Sequence, residues 1–296
     1  MKVLVLVIVS FDKPEYHDML AVWRERARDD VWFIQCKSDK EWIGDIVNDL
    51  REPLRSSLRA PLCLRPDGCM NPPLFLEDSQ SLSLGSHSQS LSLKDRFELD
   101  VANKTLFIKG DECLIPGILH KTVEALSFFL REAASLEPSF ESMGFKGNDE
   151  FPYEYVWRTN LSSVLDFAGL ERFISSTSIS KALYAGYIGK ALNNGSPTFF
   201  ASGAGFLMSR DVAMYLVSNR DYLRWDIIDD VAIGALLEPR FGLMHLERCW
   251  VQSEHIVAEK DVFHFRCESY QHLRTVEFMR LADTRIASRH LEVDRG

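Results

Sequence analysis

The sequence predicts an α/β fold with a mixed, mainly parallel central sheet flanked by helices. Three observations predict it. A continuous apolar run opens the chain, MKVLVLVIVS, as a strand covered on both faces would. Strand-like and helix-like segments then alternate, the pattern of parallel strands joined by crossover helices. Polar stations follow or interrupt the apolar elements: RTNLSS, SGAG and a pair of aspartates. Ligands in such sheets bind beyond the carboxyl ends of the strands.

Taken in order, residues 3–9 form the first strand. The run is far shorter than the ~20 residues that span a bilayer, and FDKPEYHD follows without a small-residue cleavage site. A buried strand is therefore expected rather than a signal peptide. With no other stretch long enough to cross a membrane, a soluble, cytoplasmic protein is expected. Residues 15–28 carry Met19, Leu20 and Trp23 at helical spacing, and 31–35 read as a second strand. Trp42, Ile43, Ile46, Val47 and Leu50 outline an amphipathic helix.

The rhythm breaks over residues 51–100. Pro53, Pro61, Pro66, Pro72 and Pro73 disfavour regular structure, and SQSLSLGSHSQSLSLKD is rich in Ser and Leu. That composition fits an exposed β-ribbon or a mobile loop, and no chemistry is assigned to it. Residues 105–108 resume as a strand ending in KGDE. Pro116 opens a helix to about residue 132, since a missing N–H costs nothing in the first turn. A loop over 133–150 precedes a strand at 153–157 and a helix at 167–174. A short strand at 183–188 and paired segments around an SGAG turn over 199–208 follow. The tail, beginning FHFRC, reads as a strand leading into a terminal helix.

With 296 residues, 46% of them hydrophobic and 26% charged, the chain can bury a substantial core. Its net charge of −9 argues against nonspecific nucleic-acid binding, which rests on basic phosphate contacts. A local basic pocket remains compatible with that balance. The six cysteines are scattered without a CxxC pair, as reduced structural thiols would be. Cys63 and Cys69 are close enough in sequence to bridge or bind metal, but no His/Cys pair lies near them.

RTNLSS supplies Arg158, Thr159, Asn160, Ser162 and Ser163 where a strand emerges. A guanidinium offers a planar fork of donors to a diphosphate, and hydroxyls and amides hold sugar hydroxyls. The same residues also suit a corner satisfied by its own side-chain bonds. ASGAGF brings Ser202, Gly203, Ala204 and Gly205, where glycine permits close approach of a ligand or of another segment. SRD at 209–211 reads as a helix N-cap. Asp229 and Asp230 precede an apolar helix; one of them caps it, or one serves as a general base. His264 and Arg266 alternate along a strand, where a lone histidine is usually structural and otherwise meets phosphate or metal.

The ordered set VIVSFD, TLFIKGDECLIPGILHKT, YVWRTNLSS, FFASGAGFLMSRDVA, IDDVAIGALL and FHFR resembles GT-A-fold glycosyltransferases. The resemblance is to the fringe/β1,3-galactosyltransferase-like group, and still more to small soluble glycosyltransferases of large algal DNA viruses. It implies a GT-A-like (Rossmann-like) single domain over 1–296. Residues 1–165 would be mainly the nucleotide-sugar half and 166–296 mainly the acceptor and catalytic half. It implies a UDP-sugar donor, xylose or another pentose or hexose, and a glycan or glycoprotein acceptor. Ser10 and Asp12 would lie near the nucleotide, Lys109 and Glu112 would frame the donor, and Ser202–Gly205 would shape the cleft. Asp230, aligned on the following valine, would be the catalytic base in preference to Asp229.

Such enzymes commonly hold Mn²⁺ or Mg²⁺ with a DxD motif after the central strand. Arg158-Thr159-Asn160 stands there instead, and the chain contains no DxD. Either cations such as Arg158, Lys109 or Arg266 neutralise the diphosphate, or a metal is held differently, with Asp229 and His264 as candidates. A noncatalytic sugar-nucleotide or glycan-binding module is the rival expectation. A methyltransferase-like enzyme is disfavoured, because no glycine-rich loop follows the first strand.

Overall fold

In a computed structural model of the chain, the opening run becomes the centre of the sheet. Residues 2–10, 15–38, 96–132, 152–177, 179–193, 196–252, 261–267 and 274–293 are described. Strand β1 (Val3–Ile8) is buried at all six positions. Val3, Val5 and Val7 enter one core, and Leu4, Leu6 and Ile8 enter the other. A strand that feeds two cores must be apolar throughout, which is why its sequence shows no period of two.

Four elements cover the first face of the sheet or extend it. Helix α1 (Glu15–Arg26) packs Met19, Leu20, Val22 and Trp23 into the core of Val3, Val5 and Val7. Strands β2 (Val31–Lys37), β3 (Phe97–Asp100) and β4 (Thr105–Lys109) then build one wing. Helix α2 (Gly117–Ser127) crosses the opposite face and continues as a π-helical turn, Phe128–Glu132.

Strand β5 (Tyr155–Asn160) returns to the centre, and β6 (Ser163–Leu165) follows at once, leading into helix α3 (Phe167–Ser176). Asp166 caps α3, accepting a bond from the Gly169 N–H at 3.0 Å. Strands β7 (Tyr184–Asn193) and β8 (Ser196–Ser209) pair in antiparallel fashion. Helices α4 (Arg210–Ser218) and α5 (Asp229–Phe241) join α2 on the second face. Strands β9 (Met244–His245), β10 (Cys249–Val251) and β11 (His264–Cys267) precede helix α6 (Thr275–Val293), which lies beside α1 in the first core.

The main sheet runs β3-β4-β2-β1-β5-β8-β7-β9, and a smaller sheet runs β10-β11-β6. The β4-β2, β2-β1, β1-β5 and β7-β9 pairings are parallel, and the other three of the main sheet are antiparallel. This is the mixed, mainly parallel α/β sheet expected from the alternation of segments. Strand β8 lies antiparallel to β5, with Thr159 opposite Gly205 and Arg158 opposite Phe206. The SGAG segment thus sits beside the carboxyl end of the central strand.

Several expectations are corrected. SGAG is not a turn: residues 196–209 form one long strand, with a register irregularity opposite, between Gly186 and Ile188. The glycines serve packing instead, as described below. Residues 97–100, expected to be irregular, form an edge strand on β4. RTNLSS straddles two strands, β5 and β6, that belong to different sheets. Asp12, the helix expected over 42–50, Cys63, Cys69, the Ser/Leu stretch and the loop over 133–150 lie outside the described residues. The four described cysteines, Cys36, Cys113, Cys249 and Cys267, are free thiols. Among the described residues, no helix is long and apolar enough to cross a membrane.

Candidate functional site

The carboxyl ends of β1 and β5 and the middle of β8 open on a cavity of about 380 Å³, within the range of small-molecule sites. Ser10 lines it from beyond β1, and Arg158, Asn160 and Ser162 line it from β5 and its corner. Ser202, Gly203 and Ala204 contribute the β8 wall, and Asp229 and Asp230 the start of α5. The three stations noted in the sequence therefore face one hollow.

Arg158 organises its floor. The guanidinium is almost fully buried, and its Nη2 donates to Asp229 Oδ2 at 2.5 Å. Its Nη1 donates to the Gly203 carbonyl and its Nε to Thr122 Oγ1 at 3.4 Å. A buried guanidinium with a carboxylate partner is neutralised in place. The sequence expectation that Arg158 is a diphosphate ligand thus meets a residue already committed to Asp229.

The adjacent aspartates occupy different surroundings. Neither is the N-cap of α5, which is Ile228 and makes no side-chain capping bond. Asp229 takes the Arg158 cation. Asp230 accepts from the Gly203 N–H at 2.9 Å through Oδ2 and from the Val231 N–H at 2.9 Å through Oδ1. Burial, then the charge of Asp229, push the Asp230 carboxyl above the usual aspartate range, while the Gly203 N–H, Arg158 and the Val231 N–H pull it back. The result is one carboxylate bound in an ion pair and, on the cavity wall, a second whose pKa lies above the ordinary aspartate value.

The small residues of β8 allow this approach. A Cβ on Gly203 would lie 3.0 Å from Arg158 Nη1 and 3.4 Å from Asp230 Oδ2. A Cβ on Gly205 would lie 2.7 Å from the Trp157 ring and 2.9 Å from that of His264. Both glycines are places where another segment comes too close for a side chain.

The corner after β5 is satisfied by its own residues, as its local reading anticipated. Thr159 Oγ1 donates to the Ala204 carbonyl at 2.6 Å, and Ser163 Oγ donates to the same oxygen at 2.8 Å. Asn160 Oδ1 accepts from Ser162 Oγ at 3.2 Å and from Arg266 Nη1 at 2.8 Å. Thr159 and Ser163 stitch the corner to β8 behind the cavity, whereas Asn160, Ser162 and Arg266 line it.

His264 lies deeper. It packs edge-on against Trp157, with ring centroids 5.3 Å apart, and pairs through Nε2 with Ser163 Oγ at 3.3 Å. Burial, followed by the charges of Arg248 and Arg266, holds its pKa down to about 3, so the ring is neutral. It does not line the cavity, and neither do Gly205, Lys109 or Glu112. The Lys109 carbonyl meets His120 Nε2 at 3.2 Å. Glu112 instead works beneath Ser10. It accepts from Lys121 Nζ at 2.6 Å, the Cys36 N–H at 3.0 Å and Ser10 Oγ at 3.4 Å. Lys121, fully buried, also donates to the Val9 carbonyl at 2.6 Å, which holds the segment after β1.

Sequence reading missed Lys121, Arg248 and Trp250, all of which line the cavity. The Arg248 guanidinium lies 4.0 Å from the Tyr187 ring centroid and 4.3 Å from that of Trp250, and donates to Ser202 Oγ at 2.9 Å. The signal available was the alternation in RCWV, where Cys249 and Val251 are buried and Arg248 and Trp250 are less so. Lys121 gave no signal, since a helical lysine is ordinarily solvated.

Among the described residues, the groups considered for a divalent cation at this site are engaged elsewhere. At the end of β5 stand Arg158, Thr159 and Asn160, Asp229 is engaged by Arg158, and His264 faces Ser163 and Trp157. Among the described residues, no three His, Cys, Asp or Glu side chains gather in a group that can hold a metal. No protein-family model matches the chain, and a search of curated proteins gave no match.

Proposed function

We propose that the chain is an inverting glycosyltransferase of GT-A type that moves a sugar from a UDP-sugar to a hydroxyl of a glycan or glycoprotein. The observation that carries this reading is Asp230: a carboxylate of raised basicity on the wall of a strand-end cavity, fixed by two backbone N–H groups. An acid–base group works best when its pKa is moved toward the working pH and its geometry is fixed.

In this mechanism the acceptor O–H gives its proton to the Asp230 carboxylate as its oxygen attacks the anomeric carbon. The bond from that carbon to the donor's phosphate oxygen breaks, and the electron pair leaves with the nucleoside diphosphate. Attack opposite the leaving group inverts the anomeric configuration. Asp229 and Arg158 position Asp230: the ion pair fixes the first turn of α5, and Arg158 also holds the Gly203 carbonyl, whose residue donates to Asp230. The Glu112–Lys121 pair holds the segment carrying Ser10.

The test is a panel of UDP-sugars incubated with the full chain, with and without glycan acceptors, reading UDP release and the product anomer by NMR. Acceptor-dependent release with an inverted product is the expected result. Tight UDP-sugar binding with no release from any donor would make the chain a binding module and overturn the reading.

A further inference from the structure

The cavity's charge is at odds with that of the chain. The chain carries a net −9, yet among the described residues four cationic side chains line the cavity against two carboxylates. Lys121 and Arg158, Asp229 and Asp230 make up the inner part described above. Even with Glu112 counted behind Lys121, positive charge remains in excess. Arg248 and Arg266 supply it.

These two guanidinium groups converge from different elements. Arg248 precedes β10 and is anchored on Ser202 of β8. Arg266 belongs to β11 and is anchored on Asn160 and Ser162 of the corner. That corner is itself bonded to Ala204, two residues along β8 from Ser202 and so about 7 Å away. Both charges act on the same buried imidazole, His264, which stays neutral and so adds no third positive charge between them. Two aromatic rings hold the plane of Arg248, which leaves less side-chain freedom to lose when a ligand is gripped.

We propose that Arg248 and Arg266 form a diphosphate-binding pair on the cavity wall that holds the donor's two phosphoryl groups without a metal ion. The proposal rests on the nucleotide-sugar reading above and assigns the part of that donor which the β5 end, with Arg158 committed to Asp229, is not built to hold. Paired guanidinium groups grip phosphate oxygens through forked, charge-assisted bonds. As the bond to the sugar breaks, they stabilise the charge that collects on the leaving diphosphate, the role a metal otherwise fills.

Calorimetric titration of the full chain with UDP, inorganic pyrophosphate and uridine, each in EDTA and in excess Mg²⁺ or Mn²⁺, tests this directly. UDP and pyrophosphate should bind the native chain equally well under both conditions. Arg248→Gln and Arg266→Gln should each weaken both ligands about 10- to 100-fold, as loss of a charge-assisted bond does, while uridine binds as to the native chain. Loss of UDP binding in EDTA, or native affinity in both variants, would overturn the proposal. The EDTA comparison uses unaltered protein and decides even if a variant misfolds. Metal-free binding that both variants lose, without sugar transfer from any donor, would uphold the anion site and sink the glycosyltransferase reading instead.

Discussion

Replacing Arg158 with methionine removes the cation from a carboxylate that stays buried. The Asp229 side chain is 7% exposed and Arg158 2%, so water cannot take over the lost partner. Breaking a buried pair from one side costs about 3–5 kcal/mol. With a urea m-value of roughly 3 kcal/mol/M, that lowers the unfolding midpoint by about 1–2 M. Asp229→Asn in the same chain removes the stranded charge, so the double variant should recover most of the loss. That non-additivity is the signature of a direct pair. The assay is urea unfolding followed by tryptophan fluorescence and far-UV circular dichroism on the native chain, both single variants and the double. A single Arg158→Met cost below about 1 kcal/mol, or a double variant as unstable as the two singles combined, would refute the claim that Arg158 is spent on Asp229.

Other outcomes follow from neighbouring residues. Asp230 must be ionised to accept a proton, so kcat/KM should fall as pH is lowered, with its midpoint above the ordinary aspartate value of 3.8. Because the folded-state pKa is raised, ionisation of Asp230 lowers stability as pH rises through that value. Asp230→Asn should therefore be at least as stable as the native chain at neutral pH in urea unfolding. His264 shows the opposite sense. Its folded pKa of about 3 lies below the unfolded 6.5, so the unfolded chain takes up the proton first. Stability should then decline by up to about 1.4 kcal/mol for each pH unit below 6.5, and urea titrations should show a flatter dependence in His264→Gln. Gly205→Ala sets a methyl 2.7 Å from the Trp157 ring, so it should cost about 1–3 kcal/mol and reduce turnover by shifting the strand that carries Gly203. A native melting temperature in that variant would contradict the packing role of the glycine.

The parts of the fold that could be read from the sequence are those where one physical constraint dominates. Val3–Ile8 had to be apolar at every position to feed two cores, and that pattern marked it as a central strand. The helix expected from residue 116 shows an apolar face and was anticipated, although it ends in a π-helical turn that leaves no mark in its spacing. Strands of two or three residues, such as Met244–His245, Ser163–Leu165 and Cys249–Val251, are too short to display a period and take their conformation from their partners. Gly203 and Gly205 suggested a turn because glycine is a common turn residue, but the side chains that crowd them, Asp230 and His264, lie far along the chain. For the same reason the Arg158–Asp229 pair was hidden: each residue was singled out for ligand chemistry, and only the 71-residue separation closing in space reveals that they meet. Arg248 and Trp250 lie in a short segment whose strand is set by tertiary pairing, so the alternation in RCWV was the one local sign of two residues of the cavity wall, and it does not say which wall they join.

The account's central claim, that Asp230 takes the acceptor's proton, is tested most directly by the turnover of Asp230→Asn with its best UDP-sugar and acceptor. Turnover should drop about 10²–10⁴-fold, the usual contribution of a positioned base, with UDP affinity unchanged. Turnover close to that of the native chain would contradict it.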